Sequence, residues 1–281
     1  RQLKNAIDIA YNNIEKFHAS QKETLKQIEV IPGVSCWRES KAIEKVGLYI
    51  PGGTAPLFST VLMLGIPSKI AGCKEVILCS PADKEKKIHP AILYAAELCG
   101  IKKIIKVGGI QAIAALTYGT ESIPAVNKIF GPGNQYVTAA KQYAQRKGVA
   151  IDMPAGPSEV MVLADDSADP DFVAADLLAQ AEHGADSQCV LVTYNEKMAS
   201  DVNAAIKQQL ENLERRELIE KSLKNSFTVI LQNKNDVIAF VNEYAPEHLI
   251  MMVNDEGDYL DEIVNAGSVF LGMYTPESAG D

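Results

Sequence analysis

From about residue 45 the apolar positions fall into a repeating two-beat pattern. Short β-branched runs alternate with longer stretches of helical period, the signature of strand–helix units. Strands are predicted at Val46–Ile50, Glu75–Cys79, Lys103–Val107 and Lys128–Phe130. Helices are predicted between and after them, at Ala55–Ala71, Pro90–Cys99, Gln111–Tyr118 and Asn134–Arg146. After the Pro154–Pro157 stretch the rhythm resumes. Strands are expected at Glu159–Leu163, Cys189–Thr193, Thr228–Leu231, Leu249–Val253 and Ser268–Leu271. Helices are expected at Pro170–Glu182, Glu196–Leu213 and Asp236–Tyr244, and near Asp258–Val264. An amphipathic helix over Arg1–Phe17 precedes all of these.

Strands that are apolar throughout, alternating with helices, predict parallel sheets covered on both faces. Two such blocks predict two α/β domains, with the Pro/Gly-rich segments Tyr49–Thr54 and Pro154–Ser158 as natural crossing points. In open α/β sheets ligands sit at the carboxyl ends of strands. The loops that follow strands are therefore where chemistry is first sought.

Composition changes this picture little. The net charge of -9 argues against general nucleic-acid binding, which needs a basic face to replace counterions. The longest apolar run, Val61–Ile70, is interrupted by Pro67 and Lys69, so no membrane span is expected. No secretory signal is visible at the start. The five cysteines are scattered, with no CxxC pair. Cys73, Cys79, Cys99 and Cys189 lie in apolar stretches and are expected to be reduced core residues, as in the cytoplasm. The first residue is Arg, and the last six, Pro276–Asp281, read as a loop. The sequence is therefore expected to be part of a longer chain.

No GxGxxG follows any strand. Looser glycine loops, Val107-Gly-Gly-Ile-Gln111 and Phe130-Gly-Pro-Gly-Asn134, each follow a strand and open a helix. Such loops let backbone amides approach a phosphate, and they serve equally as tight βα turns. Gln180 and His183 are three apart near a helix end, where an amide oxygen and an imidazole can share a metal. The plainer reading is a helix terminus with Gly184 as its cap. Glu247 and His248 are adjacent before a strand, and a carboxylate beside an imidazole can supply a general base. Asp281 follows a Gly and is a candidate metal ligand or substrate clamp.

Together these segments resemble the histidinol dehydrogenase family. The matching stretches are Val46-Gly-Leu-Tyr-Ile-Pro-Gly-Gly53, Ile129-Phe-Gly-Pro-Gly-Asn134, Ile151-Asp-Met-Pro-Ala-Gly-Pro-Ser-Glu159, Gln180-Ala-Glu-His-Gly184, Pro246-Glu-His-Leu249 and Ala266–Asp281. They cover almost the whole chain, in order. The resemblance implies oxidation of L-histidinol to L-histidine through the aldehyde, with two NAD+ consumed. It implies Gln180, His183 and Asp281 as zinc ligands and Glu247 and His248 as the acid/base pair. Ser158 is implied as a substrate contact, together with Gln180, His183, His248 and Asp281. Tyr49, Gln111 and Asn134 are implied as NAD contacts. A histidine near the family's C-terminus, absent from this chain, would complete the zinc site across a homodimer.

The family fold implies two incomplete Rossmann-like domains. Residues 1–48 and 158–281 would form the substrate and zinc domain, residues 49–157 an inserted NAD domain, and the active site would lie in the cleft between them. Two other readings remain at this point. One is a zinc- and NAD-dependent relative that oxidises another small alcohol, such as a sulfonated diol. The other is a non-catalytic nucleotide-binding module, which would need neither the Glu247–His248 pair nor the metal set.

Overall fold

The structure is a computed structural model and describes residues 2–52, 56–154 and 158–280. The chain separates into two compact units, Arg1–Ala155 and Gly156–Asp281.

The first unit opens with helix α1 (Gln2–Ser20) and an antiparallel hairpin, β1 (Ile28–Ile31) and β2 (Val34–Cys36). It continues with β3 (Lys45–Tyr49), α2 (Phe58–Ala71), β4 (Glu75–Cys79), α3 (Pro90–Leu98), β5 (Lys103–Ile105), α4 (Gly109–Tyr118), β6 (Lys128–Phe130), α5 (Gln135–Gln145) and β7 (Ala150–Ile151). Its sheet is parallel throughout, in the order β5-β4-β3-β6-β7. The period-2 alternation of β3 serves both faces. Val46, Leu48 and Ile50 point into one apolar core with α2 and α3. Tyr49 points into the other, with Ile113, Leu116 and Val137 of α4 and α5.

The second unit repeats this plan with β8 (Glu159–Ala164), α6 (Pro170–Ala181), β9 (Gln188–Thr193), α7 (Glu196–Leu210), α8 (Arg216–Ser222), β10 (Phe227–Ile230), α9 (Lys234–Tyr244), β11 (His248–Met252), α10 (Gly257–Leu260) and β12 (Ser268–Leu271). Its sheet is also parallel, in the order β10-β9-β8-β11-β12. Val160, Val162 and Ala164 of β8 face one core, and Met161 and Leu163 face the other. Both units thus have a Rossmann-like sheet whose strand order reverses beside its first parallel strand.

Helix starts are set by short polar side chains. Asn134 caps α5, Asp169 caps α6 ahead of Pro170, Asn195 caps α7 and Asn233 caps α9. Pro67 does not end α2, which runs on to a left-handed cap at Gly72. The hairpin and α8 are elements that the apolar pattern did not predict. The hairpin carries no buried face, since Ile28, Val30, Ile31 and Val34 are all exposed, so alternation had nothing to register.

The grouping of residues 1–48 differs from the sequence-based division, which placed them with 158–281. Ile7, Tyr11 and Ile14 lie on one stripe of α1 and pack into the same core as Val46, Leu48 and Leu62. β3 pairs with both β4 and β6 at the middle of the first sheet. Apolar burial and strand pairing thus both tie this segment to 49–155. Among the described residues no helix is long and apolar enough to cross a membrane.

All five cysteines are free thiols, with Cys79, Cys99 and Cys189 buried, Cys73 partly so and Cys36 exposed. Burial pushes the Cys79 thiol up to about 12, and those of Cys99 and Cys189 to about 11. Only the thiolate is nucleophilic. At pH 8 a thiol reagent should therefore modify Cys36 first and Cys73 more slowly, with the other three reacting only on unfolding. Mass-mapped alkylation checks this, and rapid native labelling of Cys79 or Cys189 would contradict it.

Candidate active site

In the first unit Tyr49 and Asn134 lie where the strand order reverses, at the carboxyl ends of β3 and β6, and Gln111 lies in the helix that follows the edge strand β5. Tyr49 ends β3 and is 4% exposed, and its hydroxyl accepts a hydrogen bond from the Gly109 amide at 3.0 Å. That contact ties β3 to the first turn of α4. Gln111 lies exposed in the same turn. Asn134 is also exposed, and its Oδ1 accepts from Tyr136 N and Val137 N, both at 3.1 Å. Its oxygen is thus engaged in capping α5. Gly131 sits between them at φ +127°, where an added Cβ would lie 2.0 Å from the Tyr49 carbonyl oxygen. Only glycine fits that crossing.

In the second unit the candidates gather at the opposite end of the sheet. Ser158 and Glu159 stand at the start of β8, and Glu247 and His248 at the start of β11. This departs from the expectation that chemistry follows strands. The local cause is the turn after α9. Ala245 adopts a left-handed conformation at φ 55°, capping the helix through its amide, and Pro246 follows. The chain is thereby turned straight into β11, leaving Glu247 and His248 at its mouth. A non-glycine residue in this conformation costs on the order of 1–2 kcal/mol, so the surrounding packing holds it there. Gly267 lies over the same turn, donating to Pro246 O at 3.0 Å, while Ser268 N donates to Glu247 O at 2.8 Å.

The His248 ring is half-enclosed. Its Nδ1 lies 3.2 Å from the Glu159 carbonyl oxygen, 3.7 Å from Glu277 Oε1 and 3.8 Å from Glu247 Oε2. With a carbonyl acceptor and two carboxylates around Nδ1, the neutral ring carries its proton there. Nε2 is then the lone-pair nitrogen. Glu247 Oε2 also accepts from Glu159 N at 3.3 Å, which ties the pair to β8. Behind it, the Tyr244 hydroxyl donates to Gln188 Oε1 at 2.6 Å and lies 3.4 Å from Glu159 Oε2. Burial, then Glu159, raises the Tyr244 phenol, so it stays a donor.

Gln180 ends the face of α6 that leads to β9. It is fully buried, and neither its Oε1 nor its Nε2 has a hydrogen-bond partner among the described residues. A buried amide left this way costs about 1–3 kcal/mol per group. His183 lies beyond the helix, exposed in a bend, with its amide donating to Gln180 O at 3.1 Å. The helix ends at Ala181 with Glu182 as its cap, and Gly184 is not among the positive-φ residues, so it is not the left-handed cap expected from sequence. Asp281 lies outside the described residues. An amide oxygen, an imidazole and a carboxylate form a donor set that suits zinc, and the partnerless amide of Gln180 fits that use.

Sequence reasoning missed three contributors. Glu159 and Glu277 each lie within a few residues of a predicted site residue, inside the Ser-Glu and Pro-Glu-Ser stretches. Asp176, one turn before Gln180, has its carboxyl raised to about 6 by burial and then by Glu277.

Two outcomes follow. Gly267→Ala would bring a Cβ within 2.6 Å of the Glu247 carbonyl oxygen, a backbone atom that cannot swing aside. It should cost about 1–3 kcal/mol in denaturant unfolding, and an unchanged midpoint would refute the crowding. Asp176 keeps its proton up to about 6 when folded, whereas an unfolded Asp releases it near ~3.9. The folded state therefore binds more protons between these values, and stability falls as pH rises through that window. In metal-free protein Asp176→Asn should flatten that slope and raise stability at neutral pH. An identical pH profile would show that Asp176 ionises normally.

The whole chain, residues 1–281, matches the family model for histidinol dehydrogenase. A histidinol dehydrogenase of Bacteroides fragilis (strain YCH46) is 62% identical over 280 residues, which is 100% of this chain and 65% of that protein. One from Mannheimia succiniciproducens is 54% identical over 282 residues, again 100% of this chain and 65% of that protein. The crystal structure of histidinol dehydrogenase from Elizabethkingia anophelis superposes with a TM-score of 0.97 at 58% identity, covering 100% of this chain and 65% of that one. An acetylating aldehyde dehydrogenase from Geobacillus thermoglucosidasius, 13% identical with a TM-score of 0.65 over 99% of this chain and 75% of that one, shares the fold alone. The chain thus spans about 65% of the length of these histidinol dehydrogenases, and over that span it belongs to the histidinol dehydrogenase family.

Proposed function

We propose that the protein catalyses the NAD+-dependent, four-electron oxidation of L-histidinol to L-histidine through L-histidinaldehyde, as a cytoplasmic enzyme of histidine biosynthesis. The observation that carries this reading is the Glu247–His248 pair at the mouth of β11, with the ring's Nδ1 held by the Glu159 carbonyl and Nε2 left as the base. The membership of the family supports it.

His248 takes the hydroxyl proton at Nε2 as hydride leaves the carbinol carbon. Glu247 takes a proton from the water that adds to the aldehyde carbonyl, while protonated His248 returns its proton to the carbonyl oxygen, so that the hydrate forms and the ring is again a base. The hydrate then loses its second hydride, with His248 again receiving the hydroxyl proton. Each turnover of this kind releases two hydrides, and NAD+ is the acceptor for both. Tyr49, Gln111 and Asn134 hold that acceptor in the first unit. Gln111 is exposed in the first turn of α4, Asn134 keeps its amide nitrogen free of the cap, and Tyr49 fixes the loop geometry through Gly109. Ser158, Gln180, His183, His248 and Asp281 contact the substrate. Gln180, His183 and Asp281 would hold zinc, and a histidine near the C-terminus of a second subunit in a homodimer would complete the set. When bound, the ion supplies a positive anchor for the substrate's amine and imidazole nitrogens.

The assay is NADH formation from L-histidinol by the full-length protein. Two NADH per histidinol are expected, lost on chelation and restored by zinc. His248→Ala should lower kcat by about 10²–10⁴-fold, the usual contribution of a positioned base. A folded, zinc-loaded protein that forms no NADH from histidinol would overturn the assignment and direct attention to other small alcohols.

A further inference from the structure

The strongest unexplained feature outside the second unit's site is a buried cation. Lys141 lies on α5 and is 3% exposed. A lysine there is costly unless its charge is paired and its hydrogen bonds are satisfied. Its Nζ ion-pairs with Asp152 and donates to the Gly131 carbonyl at 2.7 Å. Asp152, just after β7, uses Oδ2 to accept from the Gly131 amide at 2.6 Å. The three residues close a ring. One ion pair grips both the amide and the carbonyl of a single glycine.

That glycine is not an arbitrary one. Gly131 is the first residue after β6 and opens the Gly131–Asn134 loop. Its positive φ and its approach to the Tyr49 backbone admit no side chain. Tyr49 in turn holds Gly109 at the start of α4. Asn134, at the far end of the loop, caps the helix that carries Lys141. The end of β3 and the loops after β5 and β6 are therefore joined, and the Lys141–Asp152 pair fastens the joint at Gly131.

We propose that Lys141 and Asp152 are positioning residues for NAD: by clamping both peptide groups of Gly131 they set the shape of the loop that receives the dinucleotide. This rests on the reading of that loop as part of the NAD site. A role in stability alone fits the geometry less well. Buried ion pairs can often be replaced by apolar residues without loss of stability. Here the pair's hydrogen bonds go to a loop glycine and not to a helix or sheet.

The test uses the full-length enzyme. Lys141→Met should raise KM for NAD+ and the Kd for NADH, followed by fluorescence, by tenfold or more. KM for histidinol should stay within about threefold, a split that general loosening of the fold would not produce. Lys141→Met strands the Asp152 charge, so Lys141→Met/Asp152→Leu, which removes both charges, guards against simple misfolding. The double variant should melt near the parent temperature yet keep the tenfold loss of NADH affinity. If it recovers both stability and NADH affinity, the pair serves folding only and the proposal fails. Gln111→Ala separates the two levels of the argument. If Gln111→Ala weakens NADH binding and folded Lys141→Met does not, the positioning role is wrong while the site stands. If neither variant changes NADH binding, the loop is not the NAD site and both readings fall.

Discussion

The parallel ladder between β8 and β11 pairs His248 with Val160 and Met252 with Ala164. The candidate chemistry of the second unit hangs on that register. It sets the Glu159 carbonyl against the His248 ring and the Glu159 amide against the Glu247 carboxylate. A slip of one residue would turn the ring to the other face and bury the wrong side chains in both cores. The register is held by those cores, because Val160 and Val162 face one of them and Met161 and Leu163 the other. Apolar packing along five residues thus fixes the polar geometry at the mouth of the strand.

The two units share one strand order and use opposite ends of it. In the first, the reversal point between β3 and β6 carries its glycine loops at the carboxyl ends, as doubly wound sheets do. In the second, the equivalent strands β8 and β11 carry their carboxylates and imidazole at the amino ends. Fold alone points to the other edge of this sheet. What places these candidates there is local: a left-handed Ala245, a proline after it and a glycine at 267 that lets two chain segments cross closely. Here function belongs to the site and not to the architecture that presents it.

The strand–helix alternation was legible because the central parallel strands, buried on both faces, read as continuous apolar runs, and the edge strands β5, β10 and β12 carry short β-branched or aromatic runs although they are only partly buried, whereas the two-residue β7 was too short to register. The exposed β1–β2 hairpin was not, since no core imposes a period on it. For residues 1–48 the grouping was not legible, because nothing in the sequence of α1 says which core its Ile7–Tyr11–Ile14 stripe will meet. Glu247 and His248 stood out as an adjacent pair. Their partner Glu159 makes its contact through the backbone carbonyl, which no side-chain pattern encodes.

Two buried polar side chains show how differently such groups can be used. Lys141 meets its needs within the chain, with an aspartate and a glycine carbonyl as partners. Such a group costs little once formed and gains rigidity for the loop it holds. Gln180 is as deeply buried, yet both ends of its amide lack partners among the described residues. Two unsatisfied polar ends at about 1–3 kcal/mol each would be a poor choice for a group that only filled space, where Leu or Met would pack without that penalty. A buried amide therefore makes sense here as one half of an interaction whose other half is a bound ligand. By the same logic the satisfied lysine serves the loop that it holds, and the unsatisfied glutamine agrees with the metal-ligand role proposed for it.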